Sequence, residues 1–144
     1  MRIVLDASVA LTWLLKDAGA RSEAYAFAVL KQIRLPATEI HVPGIWGLEI
    51  ANVIARSEAQ GTLTEAQSES FLEVLSAAPI VIDAATADQA LSETLQLARR
   101  HRLSAYDAAY LELALRAGLP LASLDEALRK AATKAGVKLH KITI

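Results

Sequence analysis

The sequence predicts an α/β fold, three layers deep, in which a parallel sheet of about five strands lies between helices. Short apolar runs of strand length recur along the chain, and they alternate with longer stretches of helical periodicity. The two-residue turn signals that fold successive strands into hairpins are scarce, so neighbouring strands have to be joined by helical crossovers and run parallel. A length of 144 residues suits a single domain spanning 1–144, large enough to bury a substantial core.

Each element follows from local signals. Arg2 to Leu5 is a continuous apolar run, as expected of a strand buried on both faces, and Val9 to Leu15 and Ser22 to Ile33 read as helices. "EIHVP" is a second strand stopped by Pro43; a helix then runs from Ile45 to Gln60 and ends at Gly61. Thr64 and Gln67 have capping-box spacing for a helix through Ala77. Ile80 to Ile82 is a third strand, followed by helices over Thr86 to His101 and Ala105 to Ala117, the latter closed by Gly118. "LPLAS" is a fourth strand, Glu126 to Ala135 a helix, and "VKLHKI" a fifth strand.

Composition narrows the chemistry. Hydrophobic residues make up 53% of the chain and charged residues 22%, a globular composition with apolar surface to spare for a dimer or partner interface. The absence of cysteine excludes disulfides, thiolate catalysis and Cys-ligated zinc, and fits a cytosolic protein. The N-terminus has an Arg and an apolar centre, but Asp6 and the Lys16-Asp17 pair interrupt any secretory signal, and no run is long enough to span a membrane. With a net charge of −1, nucleic-acid binding has to come from local basic patches. The densest is Arg99, Arg100 and Arg102 around His101, with Lys130, Lys134, Lys138 and Lys141 further on; most of this charge suits helix ends on solvated faces, and some of it suits a phosphate track. The three histidines are scattered, and Trp13, Trp46 and Phe71 read as core or interface.

Functional candidates are acidic. In an open parallel sheet the C-terminal strand ends share one edge, where ligands bind. Asp6 and Asp125 end the first and fourth strands, Glu49 lies early in the helix after the second, and Asp107 opens the "SAYDAAYLELA" helix. Each has a plain structural role available: Asp6 and Asp125 as helix N-caps, Asp107 in a capping box with Ser104, Glu49 in a polar stripe with Asn52, Arg56 and Gln60. The helical neighbours of Asp107 are Tyr110, Leu111 and Ala114, however, which turns it inward and leaves Glu112 and Arg116 on the opposite, solvated face. Four carboxylates gathered on one edge repel each other unless a cation compensates them, and oxygen-only ligands suit Mg²⁺ or Mn²⁺. Ser8 and Ser123 stand near the strand-end aspartates, where they either orient ligands or bind a phosphate oxygen, or else cap helices, Ser8 the first and Ser123 by pairing with Glu126; Asn52, one turn after Glu49, is a further support candidate.

The stretches "VLDASVALTWLL", "VPGIWGLEIANVI" and "LSAYDAAYLELALRAGLPLASLDEAL" resemble the PIN-domain family, in particular the VapC-like toxins of toxin–antitoxin pairs. The resemblance runs from the first strand to the last helix and rests on the order of the motifs. It implies a five-stranded parallel sheet and an Mg²⁺- or Mn²⁺-dependent ribonuclease whose acids correspond to Asp6, Glu49, Asp107 and Asp125. It further implies a homodimer and inhibition by a small VapB-like antitoxin. Ser123 stands where many relatives carry Thr, one hydroxyl for another. Two other readings are available from the residues: a non-enzymatic partner-binding module whose acids only cap helices, and a phosphotransfer domain using a strand-end Asp. Ser8 weighs against the latter, since phosphatases of that kind usually carry a second Asp two residues on.

Overall fold

A computed structural model describes residues 1–142. Its sheet has four strands, β1 (Arg2–Leu5), β2 (Glu39–Val42), β3 (Ile80–Ile82) and β4 (Leu121–Ala122), all parallel and ordered β3-β2-β1-β4. Ile3, Val4 and Leu5 are buried, which is why β1 reads as an unbroken apolar run at the centre of the sheet. The expected fifth strand is reduced to one parallel bridge between Leu121 and Leu139, with the Leu121 amide donating to Lys138 and the His140 amide to Leu121. A neighbour only two residues long offers no further ladder to pair with.

Helices α1 (Ala7–Leu15), α2 (Ala20–Ile33), α3 (Trp46–Ala59) and α4 (Glu65–Ser76) make the two crossovers that step from β1 to β2 to β3, and α1 packs against the other three. The chain then returns through α5 (Thr86–Gln89), a π-helical turn (Ala90–Thr94), α6 (Leu95–His101) and α7 (Ala105–Ala117) to β4 on the far side of β1, before α8 (Glu126–Lys134). Right-handed crossovers in opposite directions put the two helix groups on opposite faces. The reversal falls between β1 and β4, and that is the position in an open parallel sheet where the loops part to leave a crevice.

Two expectations need correction. The helix read as continuous over Thr86 to His101 is broken by the π-helical turn. Glu112 is buried rather than solvated: its carboxylate accepts two hydrogen bonds from Arg116, at 2.8 and 2.9 Å, while the same guanidinium reaches Asp83 just beyond β3 at 2.6 and 3.1 Å. Arg116 thus ties α7 to the end of the edge strand. Arg116→Ala leaves the Glu112 carboxylate buried without a partner, and urea unfolding should show a loss of about 2–3 kcal/mol, moderated by the partial exposure of the guanidinium. Removing both charges, as Arg116→Met with Glu112→Leu, should recover most of it; a single-variant loss below about 0.5 kcal/mol would show that the pair carries little of the stability.

Candidate active site

Asp6 is the first residue after β1 and Asp125 lies just beyond β4, so both sit at the point where the strand order reverses. The parallel register pairs Leu5 with Ala122, which carries the chains on so that Asp6 stands beside Ser123. The Asp6 amide donates to Ala122 at 2.9 Å, and the Ser123 hydroxyl donates to Asp6 Oδ2 at 2.8 Å. Ser8, one residue into α1, donates to the same oxygen at 2.6 Å. Both hydroxyls fall on Oδ2, and Oδ1 has no protein donor among the described residues.

The plain readings therefore divide. Asp6 holds the N-cap position of α1 without making a capping bond, whereas Asp125 does cap α8 by accepting from the Leu128 amide at 2.8 Å. Ser8 and Ser123 cap nothing and instead hold Asp6; they are locked in place in turn by the Leu124 and Asp125 amides, each donating at 3.0 Å. The expected Ser123–Glu126 box is absent because Asp125 takes the cap position. Ser104 does cap α7, accepting from the Asp107 amide at 3.1 Å, and leaves the Asp107 side chain half-buried at the crevice.

All four acids line one cavity of about 520 Å³, together with Ser8 and Asn52. Ser123, fully buried behind Asp6, supports the cavity without lining it. Leu48 and Tyr106, both exposed, form an apolar rim that residue-type reasoning had not singled out. Tyr110 was overlooked as a partner. Its ring is fully buried and its hydroxyl donates to Glu49 Oε1 at 2.5 Å. An inward-facing Tyr whose hydroxyl needs a polar partner was the available signal.

The acids feel one another. Asp6, only 4% exposed, has its pKa raised to about 6, first by burial and then by the charges of Glu49 and Asp125, against the two hydroxyl bonds. Asp107 is likewise raised to about 6 by burial and by Asp6 and Asp125. Burial raises Glu49 as well, with Asp107 adding to the effect and the Tyr110 hydrogen bond opposing it. This is the electrostatic signature of an anionic cluster that a cation would relieve. With the side chains where they stand, no three His, Cys, Asp or Glu residues among those described are close enough to ligate one ion together. The donor set nevertheless fits Mg²⁺ or Mn²⁺: every candidate is a carboxylate, and the free Oδ1 of Asp6 belongs to a rigidly held, buried side chain.

A four-stranded parallel sheet with a carboxylate-lined crevice at its reversal point defines an open α/β domain with a ligand-binding edge, and the PIN domain family matches residues 3–134: the chain belongs to the PIN-domain family. It is 34% identical over 132 residues to the ribonuclease VapC3 of Mycobacterium tuberculosis, covering 90% of this chain and 87% of that protein. It is 30% identical over 128 residues to the ribonuclease VapC3 of Pyrobaculum aerophilum, covering 89% and 92%. Among solved structures, PAE2754 from Pyrobaculum aerophilum superposes with a TM-score of 0.65 at 20% identity, over 91% of this chain and 79% of that one, a likeness of fold.

Proposed function

We propose that this protein is a VapC-type endoribonuclease that hydrolyses RNA phosphodiester bonds with Mg²⁺ or Mn²⁺ held by Asp6, Glu49, Asp107 and Asp125, directly or through water. The observation that carries the reading is the arrival of four carboxylates, from four separate chain segments, in one cavity at the sheet's reversal point. The relatives named as ribonucleases support it. The bound ion would lower the pKa of attacking water and offset charge developing on the phosphoryl oxygens. The chain's own residues do the positioning. Ser8 and Ser123 fix Asp6, Tyr110 fixes Glu49, and the cap to Leu128 fixes Asp125. A phosphotransfer role for Asp6 is disfavoured, since Ser8 stands two residues on where phosphatases of that kind carry a second Asp, and Ser8 is used instead to hold the Asp6 carboxylate.

Purified chain freed of any antitoxin should cut RNA when Mg²⁺ or Mn²⁺ is present and stop when EDTA is added. Either ion should also raise the melting temperature beyond an inert salt of equal ionic strength, and the gain should vanish when Asp6 and Asp107 are both changed to Asn. A folded protein that neither cuts total cellular RNA nor is stabilised by these ions would favour the partner-binding module instead.

The reading carries a small VapB-like antitoxin as partner, a homodimer and a cytosolic location. Exposed Ile82 and Leu91 offer apolar surface for such contacts. Copurification with the product of a short neighbouring reading frame, and sedimentation of the isolated chain, test the first two. No helix among the described residues is long and apolar enough to cross a membrane.

A further inference from the structure

A second and larger cavity, about 710 Å³, lies between the end of α6 and the outer face of α8. Its walls carry Arg100, Arg102, Arg129, Lys130 and Lys134 against a single acid, Glu126. In a chain whose net charge is −1, that concentration of positive charge calls for a local explanation. Favourable charge at a helix end accounts for Arg100 and Lys134, in the last turns of α6 and α8, but not for Lys130 in the middle of α8. Nor does internal pairing account for it: among the described residues Arg100, Arg102, Lys130 and Lys134 form no salt bridge, and all four are exposed. Only Arg129 is engaged, donating to the Ser123 carbonyl at 2.9 Å. The same wall holds His101, whose Nε2 is buried without a hydrogen-bond partner among the described residues.

Position gives the groove its meaning. Asp125 lines the acidic cavity, and the next two residues, Glu126 and Ala127, line the basic one, so the first turn of α8 is the wall between them. Arg129 joins them chemically, because the carbonyl it holds belongs to the serine that fixes Asp6. The basic groove adjoins the acidic cavity across that turn and is the neighbouring surface whose charge suits a polyanion that reaches the acids. Among the described residues lining the groove there is no Phe, Tyr or Trp, and its charge is mostly Arg and Lys, which suits phosphates better than base readout.

We propose that the groove between α6 and α8 binds the phosphodiester backbone of single-stranded RNA on one side of the scissile bond, gripping it without regard to base sequence. This rests on the nuclease reading for its account of the acidic cavity, yet it is tested without cleavage. Anisotropy of a short labelled single-stranded RNA is measured in EDTA across a salt series, with polyglutamate of matched charge as the rival ligand. Wild-type protein should bind the RNA more tightly than the polyglutamate. Changing Arg100, Lys130 and Lys134 together to Gln should weaken RNA binding at least about tenfold at low salt. It should also reduce the salt slope by about 2, since each lost contact to a single strand contributes ~0.7. Glu126→Gln should tighten binding, a direction that a folding defect does not produce. Unchanged RNA affinity in the triple variant, or tighter binding of polyglutamate than of RNA, overturns the proposal, the second outcome in favour of an acidic protein segment. If RNA binding behaves as expected while no condition yields cleavage, the groove stands and the nuclease reading falls; if the triple variant binds and cuts as the wild type does, the reverse holds.

Discussion

Asp6→Asn is expected to reduce RNA cleavage by about 10²- to 10³-fold while making the metal-free protein more stable at neutral pH. The two effects share a cause. Asn can still accept the Ser8 and Ser123 hydroxyl bonds through one oxygen, so the site keeps its shape but loses the charge that holds a cation. The stability effect follows from the carboxyl's pKa, raised from 3.8 to about 6 by burial and by Glu49 and Asp125. Below pH 3.8 the group is protonated whether the chain is folded or not, and it costs nothing. As the pH rises from there to about 6, the unfolded chain releases the proton and the folded chain retains it, so stability falls across that window and the loss is complete above it. At ~1.4 kcal/mol for each tenfold change in proton affinity, the cost is on the order of 3 kcal/mol. Thermal unfolding in EDTA should therefore show Asp6→Asn melting above the wild type at pH 7.5, with the curves converging near pH 4. Saturating Mg²⁺ should reverse the order at neutral pH by stabilising the wild type alone. A wild type that melts higher than the variant in EDTA at pH 7.5 would mean that burial among acids does not penalise the ionised Asp6 carboxylate, and the electrostatic case for a compensating cation would go with it.

The acids were legible because their positions follow from topology. A polar residue closing an apolar strand stands at the sheet edge whatever the details, and Asp107 was turned inward by the period of its own helix. What was not legible depended on partners distant in sequence. Glu112 and Arg116 look like an ordinary exposed pair four residues apart until Asp83, from the end of another strand, draws the guanidinium over and closes Glu112 in. Ser8 and Ser123 each matched a capping pattern, and nothing local says that both hydroxyls meet on one oxygen across 117 residues of chain. The π-helical turn leaves no mark because Thr86 to His101 has too sparse an inward face to display a phase: only Thr94 and Leu97 are buried there. The fifth strand failed for a different reason: the alternation in "VKLHKI" is present, but the neighbouring strand is too short to extend the pairing. The basic residues at the end of α6 and along α8 were visible as clusters, whereas their enclosure of a single groove required the packing of two helices separated by α7.

Tyr110 allows the support of the site to be separated from the support of the fold. Its ring is fully buried in the core, and its hydroxyl ties α7 to α3 by donating to Glu49. Burial and the bond to Glu49 hold its pKa far above the ordinary phenol value, so the hydroxyl remains a donor at any working pH. Tyr110→Ala empties a large volume at the centre of the molecule and should cost about 3–5 kcal/mol in urea unfolding. Tyr110→Phe keeps the ring and removes only the oxygen; Glu49 loses a hydrogen bond to a charged acceptor, and about 1–2 kcal/mol should go. Its effect on the site should be larger than that number suggests. Without the donor, Glu49 loses the one influence that opposes its raised pKa, so its carboxyl takes up protons at higher pH and is no longer held in orientation. Mg²⁺ or Mn²⁺ affinity, read from melting temperature against metal concentration, should fall by about tenfold or more, as it does when an outer partner of a ligand is removed. The loss should be greater at pH 6 than at pH 8, since competition with protons grows as the pH drops. If Tyr110→Phe binds metal as the wild type does at both pH values, Glu49 is oriented by other contacts and the hydroxyl serves the core alone.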